Sequence, residues 1–538
     1  MRPDTLIFNA DIHTMDPARP RASWLLIRGG LIAALGTGTP PDATSQINAG
    51  GRLLLPGFQD AHIHLLNGGV DLVETAQLYD CTTLDDIARV MQAHAASQPG
   101  PVVWGAGWQS GFFGDHTLTR ALLDGVVPDR PCLIHDSSGH IACVNSAALL
   151  MAGVSRTTPD LPGGHFTRDA SGEATGMLHE DAICRILNRL PKTPDATFAA
   201  GLRAGQAHAN AHGITGIIDP AVKAEHLRPY GEAAAAGTLT LRVAGAIHVS
   251  PTDSVDATVA RLCNWRAAHH ARDFQLNAAK FFMDGVLENR TAAMIDPYAD
   301  ARGGTATVMF DPGQLKALFT ALDRERFQLH AHCIGDAATR ATLDGIAAAR
   351  AANGYWPALH QIAHCQVTHP DDWPRFAALG VMANLQPLWA AHDPLIPDAT
   401  MAMIGPHRAP LTYACRSLID AGARWCINSD WSVTTLNPFE IIGTAVTREP
   451  PRRRGRAAVF FPEQRMTVAE AILGYTVNAA AACWRSDFTG QLSPGYSADL
   501  ILLDRDITTC DPYDIAETRV LLTLFKGREV HRAGDFGT

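Results

Sequence analysis

The sequence predicts an α/β fold: a parallel barrel, a small β-sandwich assembled from both chain ends, and a subdomain inserted near the start of the barrel. Three observations predict it. Short apolar strands alternate with Ala-rich helical stretches over several hundred residues, which is the texture of a parallel α/β core. Short β-segments punctuated by Gly and Pro open and close the chain. Ionisable residues fall at the C-terminal ends of the apolar segments, where the strands of a parallel barrel converge on one mouth.

The elements follow in order. "TLIFNADIHTM", "SWLLIRGGLIAALG" and "GRLLLP" read as short strands of a β-unit over residues 1–57, and "ADLILLDRD" and "VLLTLFKGREV" complete it over 488–538. The barrel occupies 58–487 and opens on "LLLPGFQDAHIHLLNGG", an apolar run that stops at Pro56-Gly57 and leads into Asp60, His62 and His64. The segment 72–190 is far longer than the usual connection of about 4–6 residues, so it is read as an inserted α/β subdomain and a candidate lid. It carries Trp104, Trp108, Phe112, Phe113 and His165, which either build a small core or close on an apolar substituent. Beyond it, helical stretches such as "FAAGLRAGQAHANAHG" and "LKALFTALDRERF" alternate with the strands "GITGIID", "LTLRVAGAI", "FQLHAHC", "ALHQIAHC", "GVMANLQ" and "RWCINSD".

Composition excludes several function classes. The 538 residues are 46% hydrophobic and 18% charged, as in a globular protein with a large core. The net charge of −10 argues against nucleic acid as a partner, because phosphate binding needs a basic face. Eleven scattered cysteines, with no C-x-x-C pair, suit reduced thiols in a cytoplasmic protein. No uninterrupted apolar run reaches about 18 residues, so no membrane span is expected. The one dense basic run, "REPPRRRGR" from Arg448, reads as a solvated Pro-rich loop. Pairing of the terminal β-unit with a second copy is open, and no pattern demands it.

The chemistry concentrates at five strand ends. His62 and His64 stand at i and i+2, and on a regular strand both rings share a face and can reach one metal ion. Lys280 lies in an apolar run beside Phe281 and Phe282; a buried ammonium must be neutralised, paired or modified. It snorkels to the surface, pairs with Asp284, or is carboxylated by carbon dioxide so that two oxygens can bridge metals. "FQLHAHCIGDAATR" supplies His330 and His332, with Asp336 read as a helix N-cap, and "HQIAHCQ" supplies His360 and His364. Asp430 ends the strand in "RWCINSD". Imidazoles and carboxylates are the donors that zinc takes, and a catalytic site keeps a position for water.

With these motifs the sequence resembles the amidohydrolase superfamily, and within it amidohydrolase family 3, the branch that contains N-substituted formamide deformylase. The resemblance covers nearly the whole chain through "PGFQDAHIH", "DSSGHIACVNSAAL", "GEATGMLHEDA", "KFFMDGVLENRTA", "HAHCIGDAA", "AHCQ", "NLQPLW", "NSDWSV", "YTVNAAAA" and "GQLSPGYSADLILLD". It implies a TIM (β/α)8 barrel and a metal-dependent hydrolase of C–N bonds other than peptide bonds. It implies metal ligands at His62, His64, Lys280 (carboxylated), His332, His364 and Asp430, choosing His332 over His330 and His364 over His360. One or two divalent ions, zinc first among them, would serve, with Asp430 as general base and then acid for attacking water activated by the metal. His140, in "DSSGHIACVNS", is the candidate to steady the developing oxyanion, or else a hydrogen-bonded loop histidine.

The expected substrate is a small-molecule amide, N-substituted or aromatic, with Trp389 a candidate lining residue. Cyclic amides, esters and ring deamination are alternatives on the same scaffold, and a non-catalytic binding protein is the alternative from another class. Three departures from the family pattern bear on substrate rather than metal: Ala363 where many relatives carry Glu, Cys333 where Ala is usual, and Ser432 in place of a frequent Pro.

Overall fold

A computed structural model describes residues 4–536 except 99, 110–117, 137, 138, 140, 162, 163, 301, 302, 393–396, 453 and 454. Eight parallel strands form the barrel: β1 (Phe58–Asp60), β2 (Ile214–Val222), β3 (Arg242–His248), β4 (Phe274–Phe282), β5 (Gln328–Cys333), β6 (Gln361–His364), β7 (Met382–Leu385) and β8 (Arg424–Ile427). Each pairs with its successor in chain order, and β8 returns to the end of β1 where the Ala61 N–H donates to the Ile427 carbonyl at 3.3 Å. All nine residues of β2 and every residue of β5, β6 and β7 are buried. Strands covered on both faces are rich in apolar residues, which is why these segments are legible in the sequence.

The helices between the strands start on local chemistry. Ser254 accepts the Ala257 N–H ahead of Val255–Ala268, and Asp311 accepts the Gly313 and Gln314 N–H groups ahead of Pro312–Arg324, whose first residue is proline. Thr467 and Glu470 form a reciprocal capping box at Val468–Tyr475. Ala224–Ala236 stops at Gly237, whose φ of 65° is left-handed and carries no Cβ penalty in glycine. Asp336 differs from its sequence reading. It is the first helical residue of Asp336–Asn353 rather than the cap, and its carboxylate accepts the Ile295 N–H at 2.8 Å.

Both chain ends enter one eight-stranded sheet. Leu53–Pro56 pairs antiparallel with Leu500–Leu503, so the first and last segments of the chain share a ladder. Their core includes Ile7, Leu25, Leu54, Leu500 and Leu522. This sheet and the barrel belong to one compact unit, 1–64 with 206–431 and 435–538. Arg242, at the start of β3, is buried and joins the two: its guanidinium donates to the Asp499 carboxylate and to Ser497 Oγ at 2.8 Å, under the rings of Phe488 and Phe525. Asp499→Ala leaves that guanidinium buried without its hydrogen-bonded carboxylate, the Asp273 carboxylate remaining at 3.8 Å from Nε. The expected loss is about 3–5 kcal/mol, read from urea unfolding, with recovery in an Arg242→Met/Asp499→Leu double variant. No loss in the single variant would refute the assignment.

The second unit, 65–205 with 432–434, is built on a six-stranded mixed sheet in the order Gly164–Arg168, Ala174–Glu180, Ile141–Val144, Cys132–Asp136, Val103–Trp108, Thr75–Gln77. Trp108 is fully buried in one of its two apolar clusters and Trp104 packs against the other, so both are core residues. His165 stacks on His179 at 4.2 Å. Phe112 and Phe113 lie outside the described residues.

The basic run also differs from expectation at its first residue. Arg448 is fully buried, and its guanidinium donates to the carbonyls of Phe460 and Tyr413. All eleven cysteines are free thiols. Among the described residues no helix is long and apolar enough to cross a membrane.

Candidate metal centre

β1 ends at Asp60, so His62 and His64 lie just beyond the strand rather than on its regular face. Asp60 makes this turn specific. Its buried carboxylate accepts the His62 N–H at 3.1 Å and the Ser429 N–H at 3.2 Å, which pins the end of β1 to the segment after β8. Burial pushes the Asp60 carboxyl up to about 7, against the pull of these donors. Two more bonds complete the seam: Asp430 N–H to the His62 carbonyl at 2.9 Å and His64 N–H to the Trp431 carbonyl at 2.7 Å.

The seam brings three predicted ligands together. His62 Nε2 and His64 Nε2 lie 3.4 Å and 3.3 Å from Asp430 Oδ1, and one donor atom from each of the three residues lies within 4.8 Å of the others. Asp430 has φ 52° and His364 has φ 78°. Both backbones hold a left-handed conformation that costs about 1–3 kcal/mol in a non-glycine residue, the kind of local strain that gathers at functional sites. Burial works to raise the Asp430 carboxyl, but the hydrogen bond to His64 and the charges of His364, His64 and Lys280 outweigh it and hold it down at about 2.

His332 and His364 stand beside this group. Their ring centroids are 4.4 Å apart, His364 lies 5.0 Å from His62, and His364 Nδ1 is 4.0 Å from Asp430 Oδ2. His364 Nδ1 also meets Gln386 Oε1 in a short hydrogen bond, whereas its buried Nε2 has no partner among the described residues. With the Nδ1 proton given to Gln386, Nε2 is left as a bare lone pair. Burial and the neighbouring His332 depress the His364 imidazole to about 3, so it is neutral near pH 7 and charged only in the acid range where Asp430 titrates. His332 Nδ1 faces Asp284 Oδ1 at 3.4 Å.

Lys280, near the end of β4, is fully buried, and its Nζ has no hydrogen-bond partner among the described residues. Its charge bears on His62, His364 and Asp430, which places it in the same cluster. Burial lowers its pKa from 10.5 to about 8. Its Nζ lies over the Phe282 ring, 4.5 Å from the centroid. It does not reach the surface, and Asp284 is committed elsewhere, accepting the N–H groups of Ala293, Ile334 and Gly335 at 3.0, 3.0 and 2.8 Å. Gly335 is required there: a Cβ would stand 2.0 Å from the Ala293 carbonyl oxygen.

The other half of each histidine pair is placed as well. His360 bonds Asp323 at 2.9 Å and accepts the Leu329 N–H at 3.0 Å, as a structural residue. His330 is buried with its Nε2 2.8 Å from His62 Nδ1. Cys333 is buried with Sγ 3.2 Å from Thr342 Oγ1. His140 lies outside the described residues.

Sequence reasoning missed a layer of amides beneath the histidines. Gln328, Gln361, Asn384 and Asn428 form a continuous chain: Gln361 Nε2 donates to Gln328 Oε1 at 2.8 Å, Asn384 Nδ2 to Gln361 Oε1 at 2.8 Å, and Asn428 Nδ2 to Asn384 Oδ1 at 2.7 Å. It links β5, β6 and β7 to the residue that follows β8. The available signal was an amide inside each apolar run, "FQLH", "HQIAH", "ANLQ" and "CINSD", since a buried polar group needs a partner.

Nitrogen and carboxylate donors, desolvated and with lone pairs already aimed, fit a divalent metal ion. The buried lysine without a partner fits the same group once it is carboxylated, since the carbamate is an anion with two oxygen donors.

Comparison with known proteins agrees with the fold. A model of the amidohydrolase family matches residues 46–531. Protein LONG AFTER FAR-RED 3 of Arabidopsis thaliana is 28% identical, over 98% of this chain and 91% of its own length. N-substituted formamide deformylase of Arthrobacter pascens is 28% identical, over 97% of each chain. Among solved structures, an uncharacterized metal-dependent hydrolase from Pyrococcus horikoshii superposes with a TM-score of 0.77 at 21% identity, covering 95% of this chain and 99% of its own.

Proposed function

The chain belongs to the amidohydrolase family, and on that premise we propose that it is a metal-dependent hydrolase that cleaves a non-peptide C–N bond, in an N-substituted or aromatic amide. The observation that carries this reading is the convergence of His62, His64 and Asp430 within 4.8 Å, with Lys280 buried beside them and its Nζ without a hydrogen-bond partner among the described residues.

His62, His64, carboxylated Lys280, His332, His364 and Asp430 would hold one or two divalent ions, zinc by donor type. A bound ion supplies Lewis acidity: it lowers the pKa of water toward about 7 and polarises the substrate carbonyl. The rest is done by the chain. Asp430, ionised above about pH 2, takes a proton from the attacking water and delivers it to the leaving nitrogen as the C–N bond breaks. The products are a carboxylic acid and an amine. Gln386 and His330 hold the His364 and His62 rings by their remote nitrogens. Phe282, 5.5 Å from His332, and Trp389, stacked 6.1 Å from His364, give the cluster an aromatic border that suits an aryl or benzyl substituent.

The test is metal analysis with an amide panel. Chelation is expected to abolish cleavage of N-aryl, N-benzyl and N-formyl amides, and zinc with bicarbonate to restore it. Fast turnover of small polar amides beside poor turnover of aromatic ones would sink the substrate class. Protein that binds no metal and cleaves nothing would favour a non-catalytic binding role.

Carboxylation carries its own pH dependence. Only a neutral amine adds carbon dioxide, and raising the pH deprotonates Lys280. With its pKa lowered to about 8, roughly a tenth of Lys280 is neutral at pH 7 and half at pH 8. At fixed dissolved carbon dioxide and excess zinc, the initial rate of apo-protein reactivation is expected to rise about fivefold between pH 7 and 8 and to level off above about pH 9. A flat profile over that range would overturn a carboxylation limited by the deprotonation of Lys280.

A further inference from the structure

We propose that His330 is a positioning residue: its Nε2 accepts the Nδ1 proton of His62, and so fixes the tautomer that turns a bare His62 Nε2 toward Asp430 and the metal. The inference rests on the metal-site reading above and deepens it, because the sequence gives no metal role to the first histidine of "HAHC".

The geometry is specific. His330 and His62 come from β5 and from the turn after β1, 268 residues apart, and meet at 2.8 Å with both rings buried. Two neutral imidazoles in such a contact share one proton, and only two arrangements exist. If His330 Nε2 carries it, His62 Nδ1 is the acceptor. The proton of His62 then sits on Nε2, facing Asp430 Oδ1 at 3.4 Å, and no lone pair is left for a metal. If His62 Nδ1 carries it, the proton of His330 sits on its own Nδ1, and His62 Nε2 is a lone pair on the Asp430 side. Only the second arrangement binds metal.

Without metal, Asp430 Oδ1 at 3.4 Å favours the first arrangement; an ion that takes the Nε2 lone pair requires the second, and among the described residues only His330 is placed to accept the displaced proton at Nδ1. His330 Nδ1 has no hydrogen-bond partner among the described residues, so no donor holds it in the opposite tautomer. The register sets His330 directly against Lys280 on the neighbouring strand, and its ring lies 4.8 Å from His62. Gln386 plays the matching part for His364 through a carbonyl oxygen. His62 differs in relying on another imidazole, which can serve either as donor or as acceptor, whereas an amide oxygen only accepts.

The experiment compares wild type, His330→Met, His330→Asn and His330→Gln. Zinc affinity is measured by competition with a chelating indicator, the cobalt(II) absorption spectrum is recorded, and each metal-free protein is melted. Glutamine carries an oxygen near the position of Nε2, asparagine carries one near Nδ1, and methionine carries no comparable acceptor. His330→Met and His330→Asn are expected to bind zinc about 10–100-fold more weakly, with an altered cobalt spectrum. His330→Gln is expected to restore affinity to within a few-fold of wild type. Should His330→Met not fold, the Asn and Gln pair carries the comparison. Wild-type affinity in His330→Met or His330→Asn would overturn the proposal, as would His330→Gln binding as weakly as His330→Asn. A wild type that binds no zinc would instead overturn the metal-site reading, and this inference with it.

Discussion

Replacing Lys280 with alanine is expected to remove bound metal and amide cleavage together, each by at least about 100-fold, a lower bound set by what the loss of a ligand's outer partner alone does. The loss has a physical source distinct from misfolding. Lys280 is fully buried with no hydrogen-bond partner for Nζ among the described residues, so the unmodified side chain is a burden on the folded state. Its removal takes away a cation that burial has already pushed down to about 8. The metal-free variant is therefore expected to melt no lower than metal-free wild type. A variant with wild-type zinc content would place Lys280 outside the metal centre. One that melts far lower without metal would make it a packing residue.

The second large effect belongs to Asp430. Asp430→Asn is expected to lower kcat/KM by about 10²–10⁴-fold while the fold is retained, since the general base is lost. Asparagine is the fitting substitution because position 430 has φ 52°, and Asn tolerates the left-handed region as Asp does. In the unmodified, metal-free protein the carboxyl is held at about 2 by His64, His364 and Lys280; in the loaded enzyme the bound cation would take over the part of the Lys280 ammonium, so no acidic limb from Asp430 is expected between pH 5 and 8. Zinc content separates two failures. Loss of turnover with zinc retained assigns Asp430 to proton transfer. Loss of both assigns it to ligation first. Unchanged kcat/KM would remove it from the mechanism.

Much of this was written along the chain in local terms. Parallel strands buried on both faces are rich in apolar residues, so β2 and β5–β7 announced themselves, and the ionisable residues that interrupt them marked the mouth. Pairing of the chain ends was legible from the matched styles of "GRLLLP" and "ADLILLDRD", which meet as Leu54 against Leu502.

The roles of individual residues within a pair were not legible, because they depend on what arrives from distant sequence. His330 and His332 share a spacing and a strand. Only the approach of His62, from 268 residues away, gives His330 its hydrogen bond, and only Asp284 gives His332 a facing carboxylate. His360 became structural because Asp323 from a preceding helix reaches it, an ion partner that no local pattern contains. Arg448 read as solvated from its basic neighbours, yet the carbonyls of Phe460 and Tyr413 bury it. Sequence by itself determined the parallel α/β core and the candidate donors at its strand ends, because periodicity and residue type act locally. Tertiary structure alone decided which histidines meet Asp430 and which pair elsewhere, and it alone left Lys280 Nζ buried without a hydrogen-bond partner among the described residues. Hydrogen bonds and desolvation depend on three-dimensional neighbours, and here those neighbours lie hundreds of residues apart.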